Sequence, residues 1–506
     1  MTNSVSAVSI GRTAFVTTGL TMAGYSVSLV QSITLARVLG ISMDTDALAA
    51  ALTWVTAVGG LLSFTAASVM VPFHGQEQRT SHDAARLMSR AGSGVWMLLG
   101  AAMSLLTFAA ADVLASVLLP GSEAGTVAAA ATVLRIVAVI PLLWAATAVG
   151  GSIANAHERF RLVAVSSAAQ PLAVTIALLA SPSPSIDVAA IGFVIGACAQ
   201  LGLNLLASRG WLGDVVPSPV DARVFGILRR AAPVALGVLL LNAGLVASRA
   251  LASLATAGDV TVVDYSFRLI TAMLSMLTGG LTVVLVEWSR DPRAVADRLP
   301  IGRTLRFAVG ILIPAAVLVG VLATEIVAVL FGGGNFGTED VEVVAGFLRL
   351  MTPGVAANAL FLLILRALLA RDAGRALVLC ASVQVVTLTL VSFATLGMLG
   401  VNGIAVGYSA GWVVAVSLSA YALRPALGAR PGIFGESIRA TATAIVAATG
   451  TIAVLVLVQA GPLLDGLVGC ATFVTLGSVV GRRLGVDAIA TLQVASLASL
   501  RARARR

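Results

Sequence analysis

Long apolar stretches alternate along the chain with short polar segments that are rich in charged residues, proline or glycine. A helix needs about 20 apolar residues to cross the hydrocarbon core of a bilayer. Dividing the sequence at its polar segments leaves fourteen such stretches, so the pattern predicts an all-α polytopic membrane protein with 14 transmembrane helices. The predicted spans are 13–36, 47–71, 92–119, 127–154, 162–180, 187–207, 229–250, 262–288, 305–331, 341–365, 376–398, 401–422, 438–459 and 463–481.

Basic residues alternate between the two sides of this predicted arrangement. All 32 of them are arginines, and 27 lie in the termini, in every second gap between spans or within two residues of such a gap. The intervening gaps include 181–187 and 330–340, which contain none. Short loops rich in Arg and Lys stay on the cytoplasmic side of a membrane. The alternation therefore predicts that both termini are cytoplasmic.

Composition agrees with a membrane location and argues against several other classes. The chain is 58% hydrophobic and 11% charged, with a mean hydropathy of +1.00, whereas soluble domains carry about 25% charged residues. Its net charge of +9 is explained by arginines that mark topology and contact anionic lipids, so we expect no nucleic-acid partner. No His, Cys, Asp or Ser grouping has the spacing of a catalytic or metal site. We expect no enzyme activity, no metal and no cofactor.

An internal repeat relates the two halves of the chain. TVLRIVAVIP around Arg135 resembles GFLRLMTPGV around Arg349, 214 residues later, and AHERFR at 156–161 matches ARDAGR at 370–375 at the same offset. An offset that covers six spans preserves orientation, so we expect two pseudo-symmetric six-helix lobes. The predicted units are an N-terminal lobe at 1–210, a C-terminal lobe at 211–425, an appended helix pair at 426–481 and a basic cytoplasmic tail at 482–506.

Charged residues within the spans are candidates for function, because a charge at the bilayer centre costs about 2.5–3.5 kcal/mol on insertion scales. Arg268 lies inside span 8, and Asp264 is four residues earlier, at the spacing of an ion pair on one helical face. Arg135 and Arg349 lie at comparable depth in the symmetry-related spans 4 and 10. The remaining candidates lie at ends of spans: Arg37, Asp46 and Arg249.

These arginines allow two interpretations. They either line a chamber that binds an anionic substrate such as a diphosphate, because a guanidinium group holds phosphate oxygens through two parallel hydrogen bonds. Or they reach the lipid headgroups and pair with acids to fix helix packing. We expect the chamber for Arg268 and keep both interpretations open for Arg135, Arg349, Arg37 and Arg249.

Five stretches, in order along most of the chain, resemble a known family. They are ARVLGISMDTDALAAA (36–51), VMVPFHGQE (69–77), LRIVAVIPLLWAATAVGGSIANAHERFRLVA (134–164), DYSFRLITAMLSMLTGGLTVVLVEWSRD (264–291) and AVLFGGGNFGTEDVEVV (328–344). Together they resemble the MurJ (MviN-like) lipid II flippases of the MOP exporter superfamily. The resemblance implies two lobes in a V, alternating access, and a lipid-tail groove formed by spans 13 and 14. It also implies a bacterial inner-membrane location.

The chain departs from the family in the charge of the expected cavity. The resemblance implies cavity arginines from spans 1, 2 and 8, and an acidic residue at the start of span 2. Arg268 matches the span 8 position, and Asp46 matches the acidic one. The remaining positions fall on Tyr25, Gln31 and Gly59. The expected first-lobe wall is therefore much less positive than the family pattern.

We expect from the resemblance a flippase that transfers an undecaprenyl-diphosphate-linked cell-wall precursor, lipid II first among them, in peptidoglycan biosynthesis. Its expected partners are that lipid-linked glycan, membrane lipids and the cell-wall synthesis machinery. Arg37 and Arg135 would then substitute for the missing arginines. Two alternatives stay open: a flippase for another polyprenyl-linked polysaccharide, and a non-transporting scaffold for envelope assembly. The membrane potential, Na⁺ and H⁺ stay open as driving forces.

Overall fold

The computed structural model describes residues 7–78, 82–157, 159–216, 223–288, 299–369, 374–422 and 433–486. Within these ranges the chain is helical apart from turns and an isolated β-bridge between Gly333 and Phe336. The first-half helices are α1 (Ala7–Leu39), α2 (Met43–Gln78), α3 (His82–Ala109), α4 (Ala111–Leu118), α5 (Ala124–Val137), α6 (Ile140–Ala156), α7 (Phe160–Ser166), α8 (Ala169–Ala180), α9 (Ile186–Ala207) and α10 (Leu212–Val215), with a 3₁₀ turn at Arg209–Trp211.

The second half continues the same pattern with longer helices. They are α11 (Arg223–Ala252), α12 (Asp259–Trp288), α13 (Leu299–Val321), α14 (Ala323–Leu330), α15 (Thr338–Leu369), α16 (Gly374–Leu399), α17 (Asn402–Ala422), α18 (Ile433–Val458) and α19 (Pro462–Leu484). The all-helical fold class is confirmed.

Each predicted span coincides with one helix or with two consecutive helices. Pro141 and Pro171 lie in the first turns of α6 and α8, and these prolines account for the breaks before the two helices. Proline lacks an N–H, and the first turn of a helix needs none. In the described part of the chain, 11 helices are long and apolar enough to span a membrane, or 12 if the α13–α14 pair, bent by 69°, is one span. The count of fourteen stays a prediction.

The helices pack as two groups and a C-terminal pair. In the first group, α2 packs against α3, α5 and α6, and α9 packs against α6 and α8. In the second group, α17 packs against α15 and α16, and α16 also contacts α11. The pair α18–α19 packs on α13 and α14. This arrangement agrees with two lobes and an appended pair, whereas the exact residue boundaries of these units stay a prediction. Most of the expected tail, from residue 487 on, lies outside the described residues.

Both lobes contain the same broken helix. A one-residue break separates α3 from α4, and another separates α13 from α14. In each lobe the short helix after the break packs on the next long one, α4 on α5 and α14 on α15. The repeated arginines mark this contact, since Arg135 of α5 bonds to α4 and Arg349 of α15 bonds to α14. The sequence repeat therefore corresponds to a repeated structural unit.

Large apolar side chains cover the outside of the bundle, and many small ones fill its interior. Leu105, Met398 and Leu457 are exposed, whereas much of the buried core consists of alanine. In lipid, exposed leucine carries no penalty, and helices associate through small residues that let their backbones approach closely. Gly196 of α9 shows such an approach, because it lies against the backbone of Gln170 in α8.

Candidate functional site

A cavity of about 510 Å³ lies between the two lobes. The lining residues from Tyr25 to Gln200 lie on the first lobe, mainly on α1, α2, α6, α8 and α9, and we call them the first-lobe wall. Those from Leu245 to Ala272 belong to α11 and α12, and we call them the second-lobe wall. All the charged residues that line the cavity in the described part of the chain are on the second-lobe wall.

Three charged side chains on the second-lobe wall form one ion-pair network. Arg249 Nη2 donates to Asp264 Oδ1 at 2.8 Å, and Arg268 Nε donates to Asp264 Oδ2 at 2.5 Å. Asp264 and Arg268 are one turn apart on α12, as their spacing predicts, while Arg249 reaches the same carboxylate from α11. The network therefore fixes α11 against α12.

The network leaves one positive charge on the cavity surface. Two guanidinium groups, which stay protonated in proteins, share a single carboxylate. The side chains of Arg249 and Asp264 are 7% and 8% exposed, whereas that of Arg268 is 21% exposed. The guanidinium carbon of Arg249 also lies 5.2 Å from the centre of the Phe267 ring, in cation–π geometry. An anion in the cavity therefore meets Arg268 first, with Arg249 behind it.

The first-lobe wall offers polar atoms without charge. Tyr25, Gln31 and Gly59, the positions at which the family's arginines are missing, all line it. Gln170 and Gln200 line the same wall, together with several serine and threonine hydroxyls. The wall can donate and accept hydrogen bonds, but it provides no charge to neutralise a phosphate.

The absence of charge at Gly59 is coupled to the packing of α2 on α6. A Cβ atom at Gly59 would overlap the indole ring of Trp144, which lines the cavity beside it. Any larger side chain at this position, arginine included, requires the indole to move. Trp144 therefore takes the space into which a side chain at Gly59 would extend.

Asp46 lies outside the cavity and caps a helix of the other lobe. Its Oδ2 accepts the N–H of Gly258 at 2.7 Å, and its Oδ1 accepts the N–H of Thr261 at 2.7 Å and the hydroxyl of Thr261 at 2.6 Å. The first N–H groups of a helix lack partners and lie at the positive end of its dipole, so a carboxylate stabilises them. Asp46 thus joins the start of α2 to the start of α12.

Arg37 belongs to the same contact region and does not line the cavity. Its Nη2 donates to the carbonyl of Val329 at 3.0 Å, and its own carbonyl accepts the N–H of Asn335 at 2.9 Å. Nearby, the hydroxyl of Tyr265 donates to the carbonyl of Gly40 at 3.1 Å. We call this group of contacts the inter-lobe seam; it joins residues 37–46 to residues 258–265 and 329–335.

Arg135 and Arg349 are not brought into the cavity either. Arg135 pairs with Asp112 of α4 at 2.5 Å, and these side chains are 42% and 72% exposed. Arg349 donates to the hydroxyl of Thr324 on α14 at 2.5 Å, also in an exposed position. Their placement favours the interpretation as packing residues. It also means that neither Arg37 nor Arg135 replaces the missing cavity arginines.

Sequence reasoning missed several residues of the first-lobe wall. Trp144, Gln170 and Gln200 carry no charge, so the search for costly intramembrane charges passed over them. Their common location depends on how α6, α8 and α9 pack around α1 and α2. The resemblance to the family did provide one indirect signal, because it singled out Gly59, which Trp144 contacts.

Solved structures of membrane transporters share this fold. "Lipid II flippase MurJ, inward closed conformation" matches with a TM-score of 0.78 at 16% identity, over 93% of this chain and 99% of that one. An inward-facing MATE multidrug transporter of the MOP superfamily matches with 0.57 at 16%, over 85% and 98% of the two chains. A MOP transporter from Pyrococcus furiosus matches with 0.55 at 14%, over 85% and 96%. The fold is that of a MOP-type transporter.

The family follows from the sequence match. A family model described as lipid II flippase MurJ matches residues 35–468, which extend from the end of α1 into α19. The chain therefore belongs to the MurJ lipid II flippase family. It is a multi-pass membrane protein of a transporter family, and the expected resemblance is confirmed.

Proposed function

We propose that this chain moves a lipid-linked glycan with a diphosphate, lipid II as the first candidate, from the inner to the outer leaflet of the bacterial plasma membrane. The observation that carries the proposal is the Arg249–Asp264–Arg268 network on a cavity between two lobes, in a chain of the lipid II flippase family. A partly exposed guanidinium group binds phosphate oxygens in a bidentate manner. Arg268 is therefore the group that meets the diphosphate.

The cavity separates the polar headgroup from the apolar tail. Charged phosphates are costly in hydrocarbon, whereas the cavity surrounds them with cations, hydroxyls and amides. The prenyl chain is apolar and stays in lipid during transfer. The α18–α19 pair supports this division, because it packs on the second lobe and presents exposed leucines such as Leu457 and Leu463.

Alternating access requires that one side of the cavity is closed while the other is open. The hydrogen bonds of the inter-lobe seam join the lobes at the α1–α2 turn, which the arginine pattern predicts to be the outer side. Separating the lobes there breaks the Asp46 cap, and water can take its place on α12. We infer that the described conformation admits substrate from the inner leaflet and that opening of the seam releases it outside.

The direct test is complementation in bacteria depleted of their own lipid II flippase. We expect the chain to restore growth, and the Arg268→Ala variant to fail although it inserts at normal levels. Arg135→Ala is the matched control, since it removes an arginine that lies within a predicted span but outside the cavity, and it should still restore growth.

A flippase for another polyprenyl-linked glycan is the second candidate. The neutral first-lobe wall at Tyr25, Gln31 and Gly59 favours it, because that wall provides less charge than the family pattern. A well-inserted wild-type chain that fails to rescue would support this candidate. Rescue that survives Arg268→Ala would contradict the proposed role of Arg268.

A further inference from the structure

Two buried polar atoms on the first-lobe wall have no hydrogen-bond partner in the described part of the chain. They are Nε2 of Gln31 and Oγ1 of Thr147, and both residues line the cavity. Gln31 is only 4% exposed. Buried polar groups in native proteins are nearly always hydrogen-bonded, so each exception calls for an explanation. Both atoms are enclosed in this structure although their residues line the cavity, so a turn of each side chain towards the cavity would let a polar ligand provide the missing partners.

The same wall carries aromatic surface beside these polar atoms. Trp144 lies against Gly59, where a Cβ atom would overlap its ring, and Tyr25 lines the cavity from α1. Aromatic rings have a negative face and a large apolar area. Sugar rings present C–H groups on their faces and hydroxyl or amide groups on their edges. A site that combines aromatic faces with uncharged donors and acceptors is therefore suited to a sugar.

Charge assigns the two ends of the headgroup to opposite walls. The charged residues that line the cavity among the described residues are Arg249, Asp264 and Arg268, all on the second-lobe wall. A diphosphate forms its strongest hydrogen bonds with guanidinium groups. The uncharged hydroxyl and amide groups of a sugar are bound equally well by amides. The glycan and the diphosphate thus prefer different walls.

We propose that the first-lobe wall is the glycan subsite, in which Gln31 and Trp144 bind the uncharged sugar next to the diphosphate. The headgroup then lies across the cavity, with its phosphates on Arg268 and its sugar on α1 and α6. This inference rests on the proposed function and specifies which part of the substrate each lobe holds. Rocking of the lobes would accordingly act on both ends of one bound headgroup.

Two lipid probes test the assignment on the purified full-length protein. One is undecaprenyl diphosphate, and the other is the same lipid carrying a neutral N-acetylated disaccharide. We expect the wild type to bind the glycosylated lipid more tightly. Gln31→Leu and Trp144→Leu should each weaken its binding by about five- to tenfold, the loss of roughly one hydrogen bond or ring contact, and leave binding of undecaprenyl diphosphate unchanged. Arg268→Gln should weaken binding of both lipids.

Trp54→Leu is the matched control for Trp144→Leu. Trp54 lies on α2 but donates its indole N–H to Thr107 of α3 at 2.9 Å, and it does not line the cavity. This variant should leave the ratio of the two affinities unchanged. Melting curves of all variants identify any loss of binding that comes from unfolding, and two independent wall positions keep the test valid if one variant is unstable.

The outcomes distinguish a failure of the proposed function from a failure of the glycan subsite. Wild-type protein that binds neither lipid would contradict the proposed function. Wild-type protein that binds both lipids equally, with Gln31→Leu and Trp144→Leu changing neither, would leave the proposed function intact and overturn the glycan subsite. Equal weakening of both lipids by the wall variants would also overturn it, since the wall would then hold the part that the lipids share.

Discussion

Both walls of the cavity are polar, but the second-lobe wall carries paired charges and the first-lobe wall carries uncharged polar groups. On the second-lobe wall, Asp264 forms ion pairs with Arg249 and Arg268 from two helices. The buried charges are therefore paired, and only a small part of these side chains is exposed to the cavity. On the first-lobe wall, Gln31 and its neighbours are uncharged, and some of their polar atoms are buried without a partner. A buried charge without a partner strongly destabilises the fold. A buried amide without a hydrogen-bond partner costs less free energy, and it remains available to a ligand.

The difference shows that cavity charge cannot be judged from a count of arginines. Of the five candidate arginines, Arg37, Arg135 and Arg349 are used to hold backbone or neighbouring helices. Only Arg249 and Arg268 line the cavity, and they share a carboxylate. The surface available to a substrate is therefore only weakly cationic and strongly asymmetric.

Removing the carboxylate of the second-lobe wall should have the largest effect on stability. Asp264→Asn leaves Arg249 buried with its charge unpaired, and breaking a buried ion pair typically costs about 3–5 kcal/mol. We expect a markedly lower midpoint in detergent unfolding curves. Asp112→Asn is the control, because its exposed pair with Arg135 should be worth at most about 1 kcal/mol. Equal effects of the two substitutions would mean that the buried network of the second-lobe wall contributes no more to stability than an exposed ion pair does.

Crowding the first-lobe wall should have the next largest effect. Gly59→Ala places a methyl group where the ring of Trp144 lies, and such overpacking costs about 1–3 kcal/mol. The double substitution with Trp144→Ala should recover part of this loss, because the clash is removed. A four-member mutant cycle measured by thermal unfolding provides the coupling. Additive effects would contradict the direct contact between the two residues.

Opening the inter-lobe seam should make both walls of the cavity more accessible from the outside. Asp46→Ala removes the cap on α12, a change worth about 0.5–2 kcal/mol, and should shift the lobes towards outward opening. After the native residues Cys198, Cys380 and Cys470 are replaced by alanine, Thr271→Cys provides a label site in the cavity. We expect a membrane-impermeant maleimide, added outside, to react faster in the Asp46→Ala background. An unchanged or slower rate would argue against the seam as the outer gate.

The smallest effect is expected at the repeated arginine of the second lobe. Arg349→Gln removes an exposed bond to Thr324, so unfolding should change by no more than about 0.5 kcal/mol. Transport measured by complementation should remain. A loss of transport as complete as that expected for Arg268→Ala would return Arg349 to the list of functional residues.

Much of the fold was accessible from the sequence because lipid imposes simple rules. A span of about 20 residues must satisfy its own backbone as a helix, so the hydropathy pattern located the long helices that the structure describes, but not the short α10 or the 3₁₀ turn before it. The pair Asp264–Arg268 was also predictable, because one helical turn fixes the distance between positions four residues apart. The repeat around Arg135 and Arg349 also predicted a repeated structural unit, because the repeated motif is a short continuous stretch of sequence in each half of the chain.

The candidate site was only partly predictable because partners from other helices are not encoded in local spacing. Arg249 and Asp264 lie on separate helices, and neither position indicates that they share a bond. Asp46 was a candidate for substrate binding or gating at the end of a span, and only the packing of α2 on α12 placed its carboxylate on the backbone N–H groups of Gly258 and Thr261. Trp144 gave no signal at all, because an aromatic residue in an apolar span is unremarkable until its neighbour is known.

By itself, then, the sequence determined the membrane-spanning helices, the duplication, the family and the presence of Arg268 one turn from Asp264. These properties depend on hydrophobicity and on spacing within one helix, which a linear pattern records. The tertiary structure alone decided which charged residues meet in the cavity, which hold the seam, and that the first-lobe wall is neutral and aromatic. Those properties depend on how side chains from several helices pack together, and helix periodicity does not specify that packing.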